Sequence, residues 1–400
     1  MRNIIVVGGG ASGLTAAIYA SFLNNVILIE RNSTCGKKLL LTGNGRCNYW
    51  NSDQDLSHYH SDCSIAHIIN EKNEKEIMSF FKRLGIVPNI VGTLYYPYSN
   101  QAVSIKNALV KEALVRGVKI INDEYVDKVV KEDNKFTVVT DKNIYTADNV
   151  IIATGSKSYP KTGSDGNGYK LLEAMGHKIN SVLPGLVQII TAEGYVKKLS
   201  GVRVSGIVKY ENVSYPGEIM FTDYGLSGIC IMQISGIISK SLNANKIAKI
   251  SINFTPWLNS TEEFITFFNH QISTTYKRSI QDIMDGFLNY KLGNMILTLA
   301  HIDGMKDANS LNEREITNLA ELIINHSFNV TSTKSFDTAQ ICLGGLSIND
   351  VTNSLESKIV SGLFITGELL DVHGDCGGYN LSLAWITGMM VGSYLRGKND

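Results

Sequence analysis

The chain opens with NIIVV, residues 3 to 7, a β-branched run closed by glycine and the pattern of a strand buried on both faces. Behind it Leu14, Ala17, Ile18 and Phe22 recur at helical spacing over 11 to 23, and VILIE (26 to 30) is apolar again. The first thirty residues therefore predict a β-α-β unit. Helices are expected over 64 to 84 and 102 to 115, with an aromatic loop, GIVPNIVGTLYYPYSNQA, leading from one to the other. Short alternating runs at 118–130, 135–140 and 143–147 predict a small antiparallel sheet laid across a parallel one. NVIIATG (149–155) returns to the buried-strand pattern.

The texture changes after Pro184. Short β-rich segments separated by Gly, Asn and Pro fill 187–254 and predict a sheet or partial barrel. Residues 258–328 read as helices, with Ser260-x-x-Glu263 and Ser310-x-x-Glu313 as capping boxes. Beyond 338 the β texture returns, and a helix is expected over 379–395. This order predicts an α/β domain interrupted by a β-plus-helical insertion. The expected ranges are 1–187 with 355–400 for the α/β domain, 188–256 with 333–354 for a β-barrel-like domain, and 257–332 for a small helical one.

Length supports more than one core, since 400 residues exceed the size at which a single core stops growing. Charge narrows the partners: 37 Lys plus Arg balance 37 Asp plus Glu, so no net field draws the chain to phosphate backbones or an anionic membrane. Nucleic acid and membrane are therefore not expected as partners. The six cysteines (35, 47, 63, 230, 342 and 376) show no C-x-x-C pair and no histidine at ligand spacing, which reads as reduced thiols in a cytoplasmic protein without structural metal. The glycines inside the apolar N-terminal run speak for strand-turn-helix rather than an export signal, and no run reaches the roughly 18 apolar residues of a membrane span.

Candidate chemistry gathers in four glycine-rich clusters of the interrupted domain, at 8–13, 43–48, 153–155 and 366–380. Gly8-x-Gly10-x-x-Gly13 follows one strand and opens a helix: the first glycine allows the turn, the second lets backbone approach a pyrophosphate, the third lets helix and strand pack closely. Glu30 ends the next strand, where a carboxylate can bind ribose hydroxyls. That combination predicts a dinucleotide site. Two further glycine-bearing strand ends, Thr154-Gly155 and Gly367-Glu368, the latter followed by Gly374, Gly377 and Gly378, favour FAD over a nicotinamide as the resident cofactor. LLLTGNGRCNYWN (39–51) is then expected to fold over that cofactor, with Arg46 neutralising pyrophosphate and Asn48 bonding the ribityl chain or the flavin ring.

Five stretches in order, GGGASGLTAA, CGKKLLLTGNGRCNYWN, GEIMFTDYGLSGICIMQIS, GGLSINDVTNSLESKIVSGLFITGELLD and GGYNLSLAWITG, resemble a family of bacterial NAD(P)/FAD-dependent oxidoreductases whose members include aminoacetone oxidases and a bile-acid dehydrosteroid reductase. The resemblance implies a flavin domain built from both chain ends, with an inserted β-barrel and a small helical domain. It implies FAD contacts from Gly8, Gly10, Ala11, Ser12, Gly13, Glu30, Arg31 and Lys38, and from the Gly45-Arg46-Cys47-Asn48 loop. It implies further contacts from Gly367, Glu368, Gly378, Asn380 and Leu381, and from Val126 through its backbone. The chain departs from the family pattern at Phe221-Thr222-Asp223, at Asp371-Val372-His373-Gly374 and at Cys376-Gly377-Gly378. His373 reads as an exposed loop histidine or an acid-base group, Asp223 as a turn former or a substrate contact, and Cys47 and Cys376 as small packing residues rather than a redox pair.

The second strand-GxGxxG-helix unit that would bind NAD(P)H permanently is not visible, so two enzyme readings stand. NAD(P)H binds transiently and the flavin then reduces an activated double bond, or a small amine or ketone reduces the flavin and oxygen reoxidises it. A non-catalytic flavin-binding redox protein is the third reading, because no side chain can be named as catalytic from the sequence. A small-molecule substrate is expected in both enzyme readings.

Overall fold

Five parallel strands form the central sheet of the structure, a computed structural model, in the order Leu363–Ile365, Asn149–Ile152, Asn3–Val7, Asn25–Ile29, Lys119–Ile121. Residues 1–274 and 277–397 are described; 275–276, within the expected helical segment, and 398–400, at the end of the expected α/β domain, lie outside the described residues. Apolar side chains alternate to both faces of the sheet, and Ile5, Leu28, Val150, Ile152, Leu363 and Ile365 are all buried. The crossover sheet is antiparallel, Val126–Glu132 with Lys135–Thr140 with Ile144–Ala147. The expected run 118–130 divides between the two sheets. Asp123 takes a left-handed conformation (φ 57°) and turns the chain, so Lys119–Ile121 pairs parallel with Asn25–Ile29 instead.

The first and last helices seal one face of this sheet. Ala11–Ala20 packs against Tyr379–Gly397, and Gly388 and Gly392, one turn apart, make the approach close. A Cβ on Gly392 would stand 2.7 Å from the Ala16 carbonyl oxygen, and one on Gly388 would enter the Ser12 backbone. The stretch expected as an aromatic loop is instead an antiparallel hairpin, Pro88–Val91 with Leu94–Pro97, turning at left-handed Gly92. The helix before it is shorter than expected, Glu71–Arg83.

Main-chain positions divide the chain into two compact units, Met1–Leu183 with the chain from Ala339 onward, and Pro184–Thr338. Each has its own buried apolar core. In the second unit six strands close a barrel in the order Ile189–Thr191, Gly225–Ser227, Val213–Phe221, Arg203–Tyr210, Ala248–Asn253, His326–Thr333. Helix Ile229–Asn243 lies in the stretch read as sheet; its isoleucines favour strands by branching, but Ile231, Ile234 and Ile238 fall on one helical face and are buried. Helices Thr261–Thr274, Ile280–Asp285, Tyr290–Ala300 and Glu313–Ile324 share the barrel's core.

Of the two expected capping boxes, Ser260 accepts the Glu263 amide at 3.2 Å but Glu263 answers to Asn259. The helix assigned to Ser310 is capped by Asn312 with Glu315, because its first turn begins two residues later. Among the described residues no helix is long and apolar enough to cross a membrane, and no cluster suits a metal ion.

Candidate functional site

The turn after the first strand has the geometry a pyrophosphate needs. Gly8 sits at φ 106°, a conformation other residues rarely adopt, and a Cβ there would come 2.5 Å from the Ala153 carbonyl oxygen. A Cβ on Gly13 would overlap the Gly8 carbonyl oxygen, so the third glycine is fixed by packing. Gly10 differs: a Cβ on it would meet no protein atom within 4 Å. No side chain caps helix Ala11–Ala20 and no acidic residue lies in its first turn, so the N–H groups of Ala11, Ser12 and Gly13 point out of the helix without intrahelical partners. An anion fits this terminus.

Glu30 lies at the end of the second strand, 7% exposed. Its Oε2 accepts the Gly9 amide at 2.8 Å, and its Oε1 accepts the amide and the side-chain Nδ2 of Asn32 at 2.8 and 2.7 Å. The carboxylate thus ties the glycine turn to the second strand while keeping lone pairs for a ribose. Arg31 beside it pairs with Asp165 and lies over the Tyr125 ring at 4.8 Å. The Val126 carbonyl, expected at the adenine, accepts Asn167 Nδ2 at 2.9 Å.

The segment after Thr154-Gly155 meets the last strand of the sheet in a polar knot. Gly155 is left-handed (φ 74°), as is Gly367 (φ 68°), where a Cβ would stand 2.6 Å from Ser12 Oγ. Lys38 Nζ lies 2.7 Å from Glu368 Oε2 and donates to Ser158 Oγ at 2.6 Å; Ser156 Oγ donates to the same Glu368 oxygen at 2.9 Å. Lys38 and Glu368, each expected as a separate cofactor contact, pair with each other in the structure. Ser156 and Ser158 carry no signal in the sequence, because two serines after a glycine look like any loop.

LLLTGNGRCNYWN forms a kinked 3-10 segment, Lys38–Gly45, in which Gly43, Asn44 and Gly45 are left-handed, as is Cys47 just after it. Cys47 is fully buried, and burial pushes its thiol up to about 12, which keeps it protonated and inert. Arg46, expected to face the pyrophosphate, is exposed and lies over the Tyr96 ring at 4.7 Å. Asn48 is buried, and its Oδ1 has no hydrogen-bond partner in the protein; a Cβ on Gly378 (φ 97°) would come 3.0 Å from its Nδ2. Thr366 Oγ1, next to Gly367, is likewise buried without a partner. An unsatisfied buried acceptor is costly unless a ligand supplies the donor.

The glycine turn before the last helix is held by its own side chains. Asn380 Oδ1 accepts the Gly374 amide and its Nδ2 donates to the Gly374 carbonyl, both at 2.8 Å, so this expected flavin contact is engaged in closing the turn. Leu381 is half-buried against the apolar core. His373 is not in a loop: it lies in strand Val372–Gly374, opposite His60. Asp223 is exposed in its turn, where Thr222 makes the closing bonds with Gly225.

The uncapped helix, the clear side of Gly10 and the unpartnered acceptors of Asn48 and Thr366 all fit a flavin dinucleotide. Gly8–Gly13 would hold its pyrophosphate, Glu30 its ribose, and Asn48 with Gly378 its flavin end. All these residues belong to the first unit.

Comparison with known proteins bears on the family and the fold. Residues 2–394 match the family described as HI0933-like protein Rossmann domain. The chain is 36% identical to the 3-dehydro-bile acid delta(4,6)-reductase of Clostridium scindens, over 98% of each chain. It is 27% identical to the ribosomal RNA dihydrouridine synthase of Escherichia coli, over 96% of this chain and 95% of that one. Among solved structures, the 3-ketosteroid-delta4-(5alpha)-dehydrogenase of Rhodococcus jostii has a TM-score of 0.51 at 15% identity, covering 98% of this chain and 96% of that one. A flavocytochrome c3 fumarate reductase also scores 0.51, at 14% identity, covering 98% and 78%. The chain belongs to the HI0933-like Rossmann family, and within it is an oxidoreductase of the flavoprotein kind.

Proposed function

We propose that this protein is a cytoplasmic FAD-dependent reductase that uses NAD(P)H as a transient hydride donor and reduces an activated carbon–carbon double bond of a small, steroid-sized enone. The observation that carries this reading is the end-to-end likeness to a reductase of a 3-dehydro bile acid, at 36% identity with no part of either chain left over beyond a few residues. The discontinuous first unit is the flavin-binding domain of this reading. FAD, when bound, supplies the two-electron chemistry. The chain's own residues then bind and orient: the first-turn amides of helix Ala11–Ala20 neutralise phosphate charge, Glu30 fixes the ribose, and Lys38 with Glu368 stiffens the loops on the sheet's carboxyl edge. That none of the six cysteines forms a disulfide accords with the cytoplasm.

The test is an anaerobic titration of the purified protein. It should be yellow, release FAD on denaturation, bleach with NADH or NADPH, and recover its colour on adding a steroid 4-en-3-one or 4,6-dien-3-one. Colourless protein that cannot be reconstituted with FAD refutes the reading. Bleaching only by an amine substrate, with recovery in air, moves the protein to the oxidase class. The RNA relative supplies the remaining outcome: reduction of uridine in ribosomal RNA by the bleached protein would displace the enone, against the balanced charge of 37 basic and 37 acidic residues.

A further inference from the structure

Three imidazoles and two carboxylates gather around the turn Gly374–Gly378, and neither the glycine fingerprint nor the knot of Lys38 and Glu368 uses them. Strand Tyr59–Ser61 pairs antiparallel with Val372–Gly374, setting His60 opposite His373 with ring centroids 5.1 Å apart. Asp375 follows, its amide donating to the His58 carbonyl at 2.9 Å. Its carboxylate is shared: Oδ1 lies 2.8 Å from His60 Nε2, and Oδ2 lies 3.2 Å from His58 Nδ1. The other nitrogen of His58, Nε2, lies 3.2 Å from Asp53 Oδ2.

A neutral imidazole has one N–H, so between two carboxylates it would turn a lone pair toward an anion. Only the doubly protonated ring donates to both. The same ring stacks on Tyr379, the first residue of the last helix, at 4.6 Å and 20°, an arrangement that also favours a cation. The titratable groups around it are Asp53 and Asp55 from the segment before it, Tyr59 and His60 from the strand that follows it, His373 from the paired strand, Asp375 and Cys376 from the glycine turn, and Tyr379 from the helix. The turn continues to Gly378, which abuts the Asn48 side chain. Gly378, three residues after Asp375, thus lies beside the side chain whose buried amide oxygen has no partner.

We infer that His58 is a positioning residue: as an imidazolium it clasps Asp375 to Asp53, fixes the turn Gly374–Gly378 against Asn48, and lets that turn loosen when it loses its proton. Only the consequence for FAD, that a loosened turn holds it less tightly, rests on the flavin reading. Burial alone would lower the pKa of His58, but its bonds to Asp375 and Asp53 outweigh this and raise it above the ordinary 6.5. Burial would raise the Asp375 carboxyl, and its bonds to His60 and His58 outweigh this and lower it below 3.8. A base held charged by folding adds stability below its unfolded pKa and loses it as pH climbs through the raised value. An acid held charged adds stability above its unfolded pKa and loses it as pH falls through the lowered value. The clasp is closed between those limits and opens on the alkaline side through His58.

Amide hydrogen exchange over 372–378 in the full chain, corrected for the intrinsic pH dependence of exchange, reads the clasp directly, with an NMR titration of the His58 ring beside it. Protection should fall in step with loss of the His58 proton, and Asp375→Asn should abolish that step. Protection that stays level through the titration overturns the proposal. Asp53→Asn, at an exposed position outside the turn, covers the case in which Asp375→Asn does not fold. It should move the step to lower pH, and an unmoved step is equally fatal. In the FAD-loaded protein, the Kd for FAD should rise about tenfold across the same pH step, and His58→Gln should flatten that dependence. Protein that never binds FAD refutes the flavin reading and leaves the exchange result to stand; protein that binds FAD with pH-independent protection refutes the clasp alone.

Discussion

Glu30 accepts three hydrogen bonds from its own domain before any ligand is counted. Glu30→Ala should therefore cost about 1–3 kcal/mol of folding stability, from the donors left unsatisfied, in addition to FAD affinity. A urea denaturation midpoint that did not move would contradict the role assigned to Gly9 and Asn32. Asn48 makes the opposite case. Its Oδ1 has no protein partner, so Asn48→Ala should leave the unfolding midpoint of the apoprotein nearly unchanged while raising the FAD Kd about tenfold, the measure of one hydrogen bond in a dry site. Equilibrium dialysis with FAD, set beside the apoprotein melt, separates the two effects. The glycine turn and a carboxylate at the end of the next strand were readable from the sequence because their spacing carries a local signal. The pairing of Lys38 with Glu368 was not, since 330 positions separate them, and no local pattern encodes which charge a side chain will meet. Arg46 was misplaced for a related reason: a cation in a glycine loop reads as a phosphate ligand, yet an aromatic ring, Tyr96, from the neighbouring hairpin takes it.

At the scale of elements, the contact of the first and last helices depends on two missing side chains. Gly392→Leu would drive a side chain into Tyr19 and the Ala16 carbonyl. It should destabilise by at least about 1–3 kcal/mol, the usual penalty of overpacking, because backbone cannot yield as a side chain would. Measured by thermal or urea unfolding, a loss under half that size would mean the helices can separate without harm. The parallel strands were readable because burial on both faces leaves uninterrupted β-branched runs. Helix Ile229–Asn243 was not, because its isoleucines satisfy a strand pattern and only the barrel beneath them selects the helical face. The hairpin Pro88–Val91 with Leu94–Pro97 was missed because Gly92-Thr93 is a weak turn signal and Ile90 and Val91 stay exposed, so no alternation marks a buried face.

For the whole molecule, two cores imply two units of stability. Urea unfolding followed by separate probes should show two transitions, one for Pro184–Thr338 and one for the unit built from both chain ends. FAD at about a hundredfold excess over its Kd should raise the second by about 2.7 kcal/mol and leave the first in place. A single coincident transition, shifted as one by FAD, would contradict that independence.

By itself the sequence determined the β-α-β opening, the interrupted order of the chain, the glycine fingerprint with Glu30, and the dinucleotide-binding fold. Each depends on spacing along a strand or helix, where hydrophobic periodicity and backbone sterics act between near neighbours. Only the tertiary structure decided that the chain's two ends close on each other through Gly388 and Gly392. Only it joined Lys38 to Glu368, left Asn48 with a free acceptor, and set His58 between Asp53 and Asp375. Those are matters of which groups the fold brings together and which it leaves without a partner, and the energy of a hydrogen bond or an ion pair belongs to the partner as much as to the residue.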